Sequence, residues 1–498
     1  MRITNRMMTN NMLGNINKNK LSVSKLEEQY STGKKIQRPS DDPIITVRAL
    51  RLRTNLAEID QYYEKNIPDA ISWMDVTESS LKTINEVLKQ INTYCVQGSS
   101  DTLTAKDRAS IVQNLAEMKD QIYKEGNTNY AGRYVFSGYK TDSSLTFMEK
   151  SNNLKYDITE SFTGEQIHTV TKVLGSYDLK DYDNPAVAFD NAPQLTNIYR
   201  MNLSYDKLEN LEMDGIRYTV PYPGGEPEEF TLSPVKTVSI YDEDAYNPDI
   251  GAGGVNFIYE TGEIILHESV YEVLRNAENI EMSYTKTSFD KGQLKPEHYF
   301  DCVVQDTDKP EQDPINYVKE KQEIQYEINY NQRLTINTEG SDAISHKIGR
   351  DIDDILKSVD DVIETEEKVK EIEKRLGDIS LKDSERVRYE EMLGQLETEL
   401  VLKKDIMQTA FSKGITSSNK EQDKVNVAVA DLGSRHFRLK LTENRLSSQR
   451  IDFKELLSKN EDADIVDTII NFNAAQMIYN SSLSAASKVL QNSLLDFL

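Results

Sequence analysis

The feature that most constrains this chain is a repeat at its two ends. Near the C-terminus Ile465, Ile469, Phe472, Gln476, Tyr479, Leu483, Ala486 and Leu490 step by 4, 3, 4, 3, 4, 3 and 4. A 3.5-residue period winds one narrow apolar stripe along a helix and requires a partner helix to cover it. Near the N-terminus Met8, Met12, Asn15, Asn19, Val23, Leu26 and Tyr30 also step by three or four. A helix with so thin a stripe is marginal alone. The two ends are therefore expected to bury their stripes against each other. The seam so predicted joins Met8, Met12, Val23, Leu26 and Tyr30 to Ile465, Ile469, Phe472, Tyr479, Leu483 and Leu490. Such a pairing folds the chain back on itself, with both termini at one end. Asn15, Asn19, Gln476, Asn480 and Ser484 dilute the stripes, which favours register over strength. The expectation is that these ends gain order when neighbouring copies pack around them; an ordinary helical hairpin is the plainer alternative.

Between the ends the text changes from helix to sheet and back. Gly33 ends the first helix, and Arg38-Pro39-Ser40-Asp41-Asp42-Pro43 reads as a turn, with Asp42 as N-cap and Pro43 in the first helical turn. A long helix is expected over about 44–96, kinked or broken at Pro68, with Met74, Leu81, Ile84, Leu88, Ile91 and Cys95 on its seam. Ile111, Leu115, Met118 and Ile122 mark a shorter helix. Tyr134, Phe136 and Tyr139 mark a strand and turn. From about 145 to 340 strands and turns dominate. Leu211, Met213, Ile216, Tyr218 and Val220 flank Asp214-Gly215, and Phe257–Tyr259 and Ile264–Leu266 flank Glu260-Thr261-Gly262-Glu263, two hairpin signals. Ile324, Tyr326, Ile328 and Tyr330 alternate as a half-buried strand does. Helix returns after Gly340. Tyr389, Leu393, Leu396, Leu400, Met407 and Ala410 fit a heptad, and Leu432, Leu439, Leu446 and Phe453 are spaced by sevens.

Composition narrows the function classes. With 59 basic and 83 acidic residues the net charge is -24, so the chain should repel bare nucleic acid and anionic lipid. The opening residues lack the apolar core of a secretory signal, and no apolar run reaches membrane-spanning length. Cys95 and Cys302 make no disulfide framework, and Cys95 reads as a small core residue. Histidines 168, 267, 298, 346 and 436 form no ligand pair, and no phosphate loop, dinucleotide fingerprint or nucleophile elbow is present. Glu297-His298-Tyr299 suits packing, and Asp242-Glu243-Asp244 with Asp249 reads as a solvated acidic loop, with a weakly bound cation as the minor alternative. No enzyme activity, cofactor or resident metal is expected.

Several motifs are similar to those of the flagellin-like axial proteins of the bacterial flagellum. Ser31-Thr32-Gly33-Lys34-Lys35-Ile36 followed by Pro39-Ser40-Asp41-Asp42-Pro43 resembles the signature of that family. Asn66-Ile67-Pro68-Asp69-Ala70 with Trp73, Met74 and Leu81 resembles its next helix. The extreme ends choose within the family. Met1-Arg2-Ile3-Thr4-Asn5 with Met7 and Met8, the turn Gly132-Arg133-Tyr134-Val135-Phe136-Ser137-Gly138, and the ending from Leu483 to Leu498 look like the member that joins hook to filament. The resemblance covers about 140 N-terminal and 70 C-terminal residues.

The resemblance implies an α+β chain shaped as an elongated flagellin-like rod. Paired terminal helices would form a coiled-coil bundle, and a large β-rich insert would occupy the middle. The expected divisions are residues 1–43 with 461–498 as terminal coiled coil, 44–140 with 341–460 as helical bundle, and 141–340 as β-rich outer part. It also implies an extracellular protein of the flagellum, exported without a cleaved signal peptide and held beforehand by a cytoplasmic flagellar export chaperone. Its neighbours would be hook-associated protein 1, flagellin and further copies of itself in a ring. Filament flagellin is the alternative within the family. A flagellin-like stalk carrying a glycan-binding or hydrolytic insert is the remote one. The chain is longer than a typical member through an insert between about 140 and 420, and the charged stretch near 364–410 has no counterpart in the family pattern.

Overall fold

The computed structural model describes residues 5–100, 103–176, 192–211, 215–220, 228–242, 244–378 and 382–495. The chain divides into two units, one of residues 1–69, 326–334 and 437–498, the other of residues 70–325 and 335–436.

The smaller unit holds helices α1 (Asn5–Thr32) and α2 (Pro43–Gln61), the start of α3 (Ile67–Gly98), the end of α7 (Asp383–Glu461) and α8 (Ile465–Leu495). The turn before α2 is set by two carboxylates. Asp41 accepts the backbone N–H groups of Gln37 and Arg38, while Asp42 caps α2 by accepting those of Ile44 and Ile45 at 3.0 and 3.1 Å, with Pro43 in the first turn. The first closes the turn, and the second satisfies amides that a helix start leaves open. Pro68 does not break the helix. Tyr62–Asn66 forms one π-helical turn in which the Ile67 N–H reaches back to Tyr62 O, and α3 begins with Pro68 in its first turn. A proline has no N–H to donate to the preceding turn, and widening that turn by one residue accommodates the loss. Arg450 of α7 grips Asp60 at 2.5 Å, and Asn460 Nδ2 donates to Ile45 O at 3.1 Å, so α2 and the end of α7 run antiparallel. The alternating segment around Ile328 is the hairpin of β14 (Gln325–Asn329) and β15 (Gln332–Thr335). Ile328 is buried, Tyr326 hydrogen-bonds Asp69, and Tyr330 is exposed at the tip.

The larger unit pairs a helical layer with a β-sandwich, and it also holds the short strands β1 (Asn129–Tyr130) and β2 (Arg133–Tyr134) and the short helix α5 (Glu268–Leu274). Within the helical layer α3 and α7 run antiparallel in a fixed register. Gly98 faces Phe411, Cys95 packs on Gly414, Asn92 Nδ2 donates to Ile415 O and Ser418 Oγ at 3.2 and 3.0 Å, and Asn85 Nδ2 meets Asn426 Oδ1 at 2.7 Å. Met74, Leu81, Ile84, Leu88, Ile91 and Cys95 are all buried, as their spacing predicts. Gly98 admits no larger residue. A Cβ there would lie 2.3 Å from the Phe411 ring. Helix α4 (Ala105–Glu125) opens with a capping box of Thr104 and Asp107, and its Arg108 closes the carbonyl end of α3 by donating to Gly98 O at 3.1 Å. Helix α6 (His346–Leu376) packs on α4, with Lys119 and Asp353 paired at 2.6 Å. Beyond it α7 turns back, and Ile372, Met392 and Leu396 form a small separate core.

The sandwich stacks a six-stranded sheet on a five-stranded one. The six-stranded order is β13 (Ile315–Tyr317), β12 (Asp301–Asp306), β3 (Leu154–Phe162), β11 (Asn279–Lys286), β6 (Ile216–Val220) and β7 (Glu228–Leu232), antiparallel throughout. The five-stranded order is β4 (His168–Leu174), β5 (Gln194–Asn202), β10 (Glu263–Leu266), β9 (Val255–Ile258) and β8 (Lys236–Val238), with only β8–β9 parallel. Ile158, Met282 and Tyr284 from one sheet and Met201, Phe257 and Ile264 from the other share one core, which also encloses Cys302. The β9–β10 hairpin is the one read from Glu260-Thr261-Gly262-Glu263. Gly262 has φ +66°, and a Cβ on it would lie 2.1 Å from Tyr205 O. Of the other expected hairpin, Gly215 and the β6 arm are described; Met213 and Asp214 lie outside the described residues. The predicted mixed α+β class with a β-rich middle is therefore the observed one.

Candidate assembly surface

The two ends meet as predicted, helix against helix and antiparallel. Asn19 Nδ2 donates to Ser482 Oγ at 3.3 Å, and near the turn Ala463 N donates to Gly33 O at 2.8 Å. The buried stripe differs in phase from the predicted one. On α1 it runs Thr9, Met12, Ile16, Asn19, Val23 and Leu26; on α8 it runs Thr468, Phe472, Ala475, Tyr479, Ser482 and Ala486. Both keep the 3.5-residue period. Of the predicted seam, Met12, Val23, Leu26, Ile469, Phe472 and Tyr479 are at least partly covered. Met8, Tyr30, Ile465 and Leu483 are not, being 49%, 50%, 55% and 42% exposed. The side chain of Leu490 lies outside the described residues. One physical reason is polar pairing: the hydrogen bond from Asn19 to Ser482 turns Ser482 rather than Leu483 toward α1, beside Ile16, Phe472 and Tyr479.

Sequence reasoning missed the lock at the base of this pair. Lys34 forms an antiparallel bridge with Asp462, and Lys35 N donates to Glu461 O at 2.7 Å. Glu461 is buried and takes Arg53 in a two-point grip, both contacts at 2.7 Å. Lys34 Nζ reaches Asp462 at 2.5 Å and Glu461 at 3.4 Å. Its hydrogen bond, with that of Ser458, holds the Asp462 carboxyl below the usual carboxylate range. The signal in the sequence was the pair of acids at the end of an unbroken heptad helix, set against Lys34-Lys35 after Gly33.

The helix pair leaves large apolar side chains uncovered on both helices. Leu13 and Leu21 on α1 and Val466, Ile470, Met477 and Ile478 on α8 are all more than half exposed. Scattered exposed apolar residues are ordinary, but a run of them on one helix pair is the mark of a surface that another chain covers.

The residues considered for chemistry serve structure. Glu297 accepts the Tyr156 hydroxyl at 3.2 Å, and His298 is buried, its pKa lowered to about 3 chiefly by that burial. Asp242 and Asp249 accept backbone N–H groups of Ser239 and Gly251 within their own turns, and Glu243 lies outside the described residues. Among the described residues no group of three or more His, Cys, Asp or Glu side chains is placed to hold a metal. Among them, too, no helix is long and apolar enough to cross a membrane. Cys95 and Cys302 are buried free thiols, each pushed up to about 12 by burial.

Comparison with known proteins bears on both ends. Residues 3–141 match the bacterial flagellin N-terminal helical region and residues 415–498 the C-terminal helical region. Flagellar hook-associated protein 3 of Escherichia coli is 29% identical over 208 residues, 40% of this chain and 64% of that protein. Its Salmonella typhimurium counterpart is 34% identical over 145 residues, 29% of this chain and 45% of that protein. The chain thus spans about half to two-thirds of the length of these relatives. Flagellins are also among its relatives. A solved flagellar hook-associated protein from Vibrio parahaemolyticus aligns over 85% of this chain and all of its own, at 11% identity and a TM-score of 0.37. The two ends of the chain thus match the two helical regions of bacterial flagellin, and flagellar hook-associated protein 3 is among the proteins it resembles.

Proposed function

We propose that this chain is a structural, non-catalytic subunit of the bacterial flagellum that joins the hook to the filament. The observation that carries an assembly role is the outer face of the α1–α8 pair, a row of uncovered apolar side chains on helices already paired with each other. Relatives named hook-associated protein 3 favour the junction over other axial positions. In this reading the partners are hook-associated protein 1 on one side, flagellin on the other and further copies of the chain around the ring. A cytoplasmic export chaperone would cover the same apolar row before the subunit leaves the cell. Residues 1–43 with 461–498 would form the inner polymerising part, 44–140 with 341–460 the helical layer around it, and 141–340 the outward part.

The second reading is filament flagellin, favoured by the flagellins among the relatives. Deleting the gene separates the two. A junction subunit's loss leaves hooks in place and releases flagellin into the medium; filaments of normal length on the deletion strain would refute the junction assignment. Abundance is a second check, since flagellin dominates a sheared flagellar preparation and a junction subunit is a trace component of it.

A further inference from the structure

The larger unit contains a cleft of about 430 Å³ between β4, an edge strand of the five-stranded sheet, and helices α6 and α7. Its walls are unusual for a chain of net charge -24, because lysines outnumber acids there. Several charges in the cleft are already answered. Arg200 is taken by Glu263 at 2.5 Å and by Asp354, Asp351 accepts the Ser417 hydroxyl, and Lys403 is held by Glu399 at 2.6 Å and Thr365 at 2.9 Å. What is left over is mostly positive, Lys172, Lys347, Lys357, Lys413 and Lys420 against the carboxylate of Asp361. Lys357 Nζ is buried and has no hydrogen-bond partner. Lys172 lies 4.5 Å from the Tyr246 ring, and Lys413 reaches the backbone oxygen of Thr169 at 3.2 Å. Exposed Lys347 and Lys420 stand at the mouth.

One group reports the resulting field. His168 at the start of β4 has its pKa lowered to about 4, first by burial and then by Lys347 and Lys413. The ammonium of Lys172 is likewise pushed below its ordinary range by burial. An ammonium sequestered without a partner is unfavourable by a desolvation cost that an incoming anion would offset. Ile167, Val170, Ile406 and Ala410 add apolar wall for a carbon skeleton. The volume suits a compact small molecule and is too small for a folded segment of protein.

We infer that this cleft binds a small organic anion bearing two or more carboxylate or phosphate charges, with Lys357 as the central contact, Lys172 and Lys413 beside it, and Lys347 and Lys420 at the entrance. The site lies outside the terminal helices and is independent of the assembly role.

The full chain is titrated calorimetrically with citrate in one arm and fructose 1,6-bisphosphate in the other, which separates carboxylate from phosphate recognition. Saturable one-to-one binding in at least one arm is expected. Lys357→Met should weaken it by roughly tenfold, the loss of one charge-assisted hydrogen bond. The same variant without ligand should unfold no earlier than the parent, because it removes an unanswered charge. An earlier midpoint would make Lys357 a structural residue and overturn the inference. If Lys357→Met does not fold, the surface pair Lys347→Glu and Lys420→Glu decides, since reversing both charges at the entrance should abolish binding. Absence of binding in both arms at millimolar ligand, or unchanged affinity in these variants, refutes the site.

Discussion

The register of α3 against α7 makes a quantitative prediction at Gly98 and Phe411. Phe411 is fully buried, and a Cβ at Gly98 would lie 2.3 to 2.7 Å from three of its ring carbons. Phe411→Ala removes the ring and should cost about 3–5 kcal/mol. Gly98→Ala drives a methyl into the ring at about 1–3 kcal/mol, offset by up to about 1 kcal/mol of helix propensity. In the double variant the ring is gone, so the steric cost vanishes while the propensity gain stays. The pair should therefore be less destabilised than the sum of the singles by about 1–3 kcal/mol, as expected of residues in contact. Trp73, the chain's only tryptophan, is buried in the same unit, and its fluorescence through urea unfolding reads the effect. Additivity to within about 0.5 kcal/mol would refute the register, because non-contacting sites add to that accuracy.

Acid should loosen the larger unit through its buried histidines. His346 is held down to about 3 by burial, with Arg350 adding to it, and it pairs with Tyr205, whose own hydroxyl proton goes to Leu294 O. Folded His346 and His298 stay neutral where the unfolded chain takes up protons, so their stability is whole above about pH 6.5 and is lost as pH falls toward 3, at about 1.4 kcal/mol per unit for each. With His168, also held down to about 4, adding to the same slope, His346→Phe, fitted among Tyr205, Tyr299 and Phe300, should lower the histidine-linked slope by roughly a third in unfolding midpoints measured from pH 6.5 to 4.5; an unchanged slope contradicts the assignment. Asp42→Ala removes the α2 cap and should cost about 1 kcal/mol. Faster amide exchange at Ile44 and Ile45 than in the parent is the readout, and equal rates would show the cap to be dispensable.

The sequence disclosed those parts of the molecule in which one face is apolar and contiguous. The seam from Met74 to Cys95 was legible because each member is apolar and buried. The terminal seam was legible in period and not in phase. Reading by apolar size selects Met8, Tyr30, Ile465 and Leu483, whereas the covered positions include the small or polar Thr468, Ala475 and Ser482. Pro68 looked like a break because a lone proline in a helical pattern usually is one, and only the wide turn at Tyr62–Asn66 removes the conflict. The hairpin at Gly262 was readable from its turn. The placing of β3 between β11 and β12 was not, since those pairings join segments more than a hundred residues apart and no local pattern encodes them. The lysine cleft was invisible for the same reason: β4, α6 and α7 contribute to it from separate stretches.

The two cysteines carry a consequence for any subunit that works outside the cell. Each sulfhydryl is sealed in a different layer of the same unit, one between α3 and α7 and the other inside the sandwich, and neither is ionised near neutral pH. Oxygen and oxidants in the surrounding medium therefore meet no reactive thiol, and copies packed side by side cannot be joined by an accidental disulfide. The pair also serves as two internal clocks: the rate at which a thiol reagent labels Cys95 times the opening of the helices, and the rate at Cys302 times the opening of the sheets.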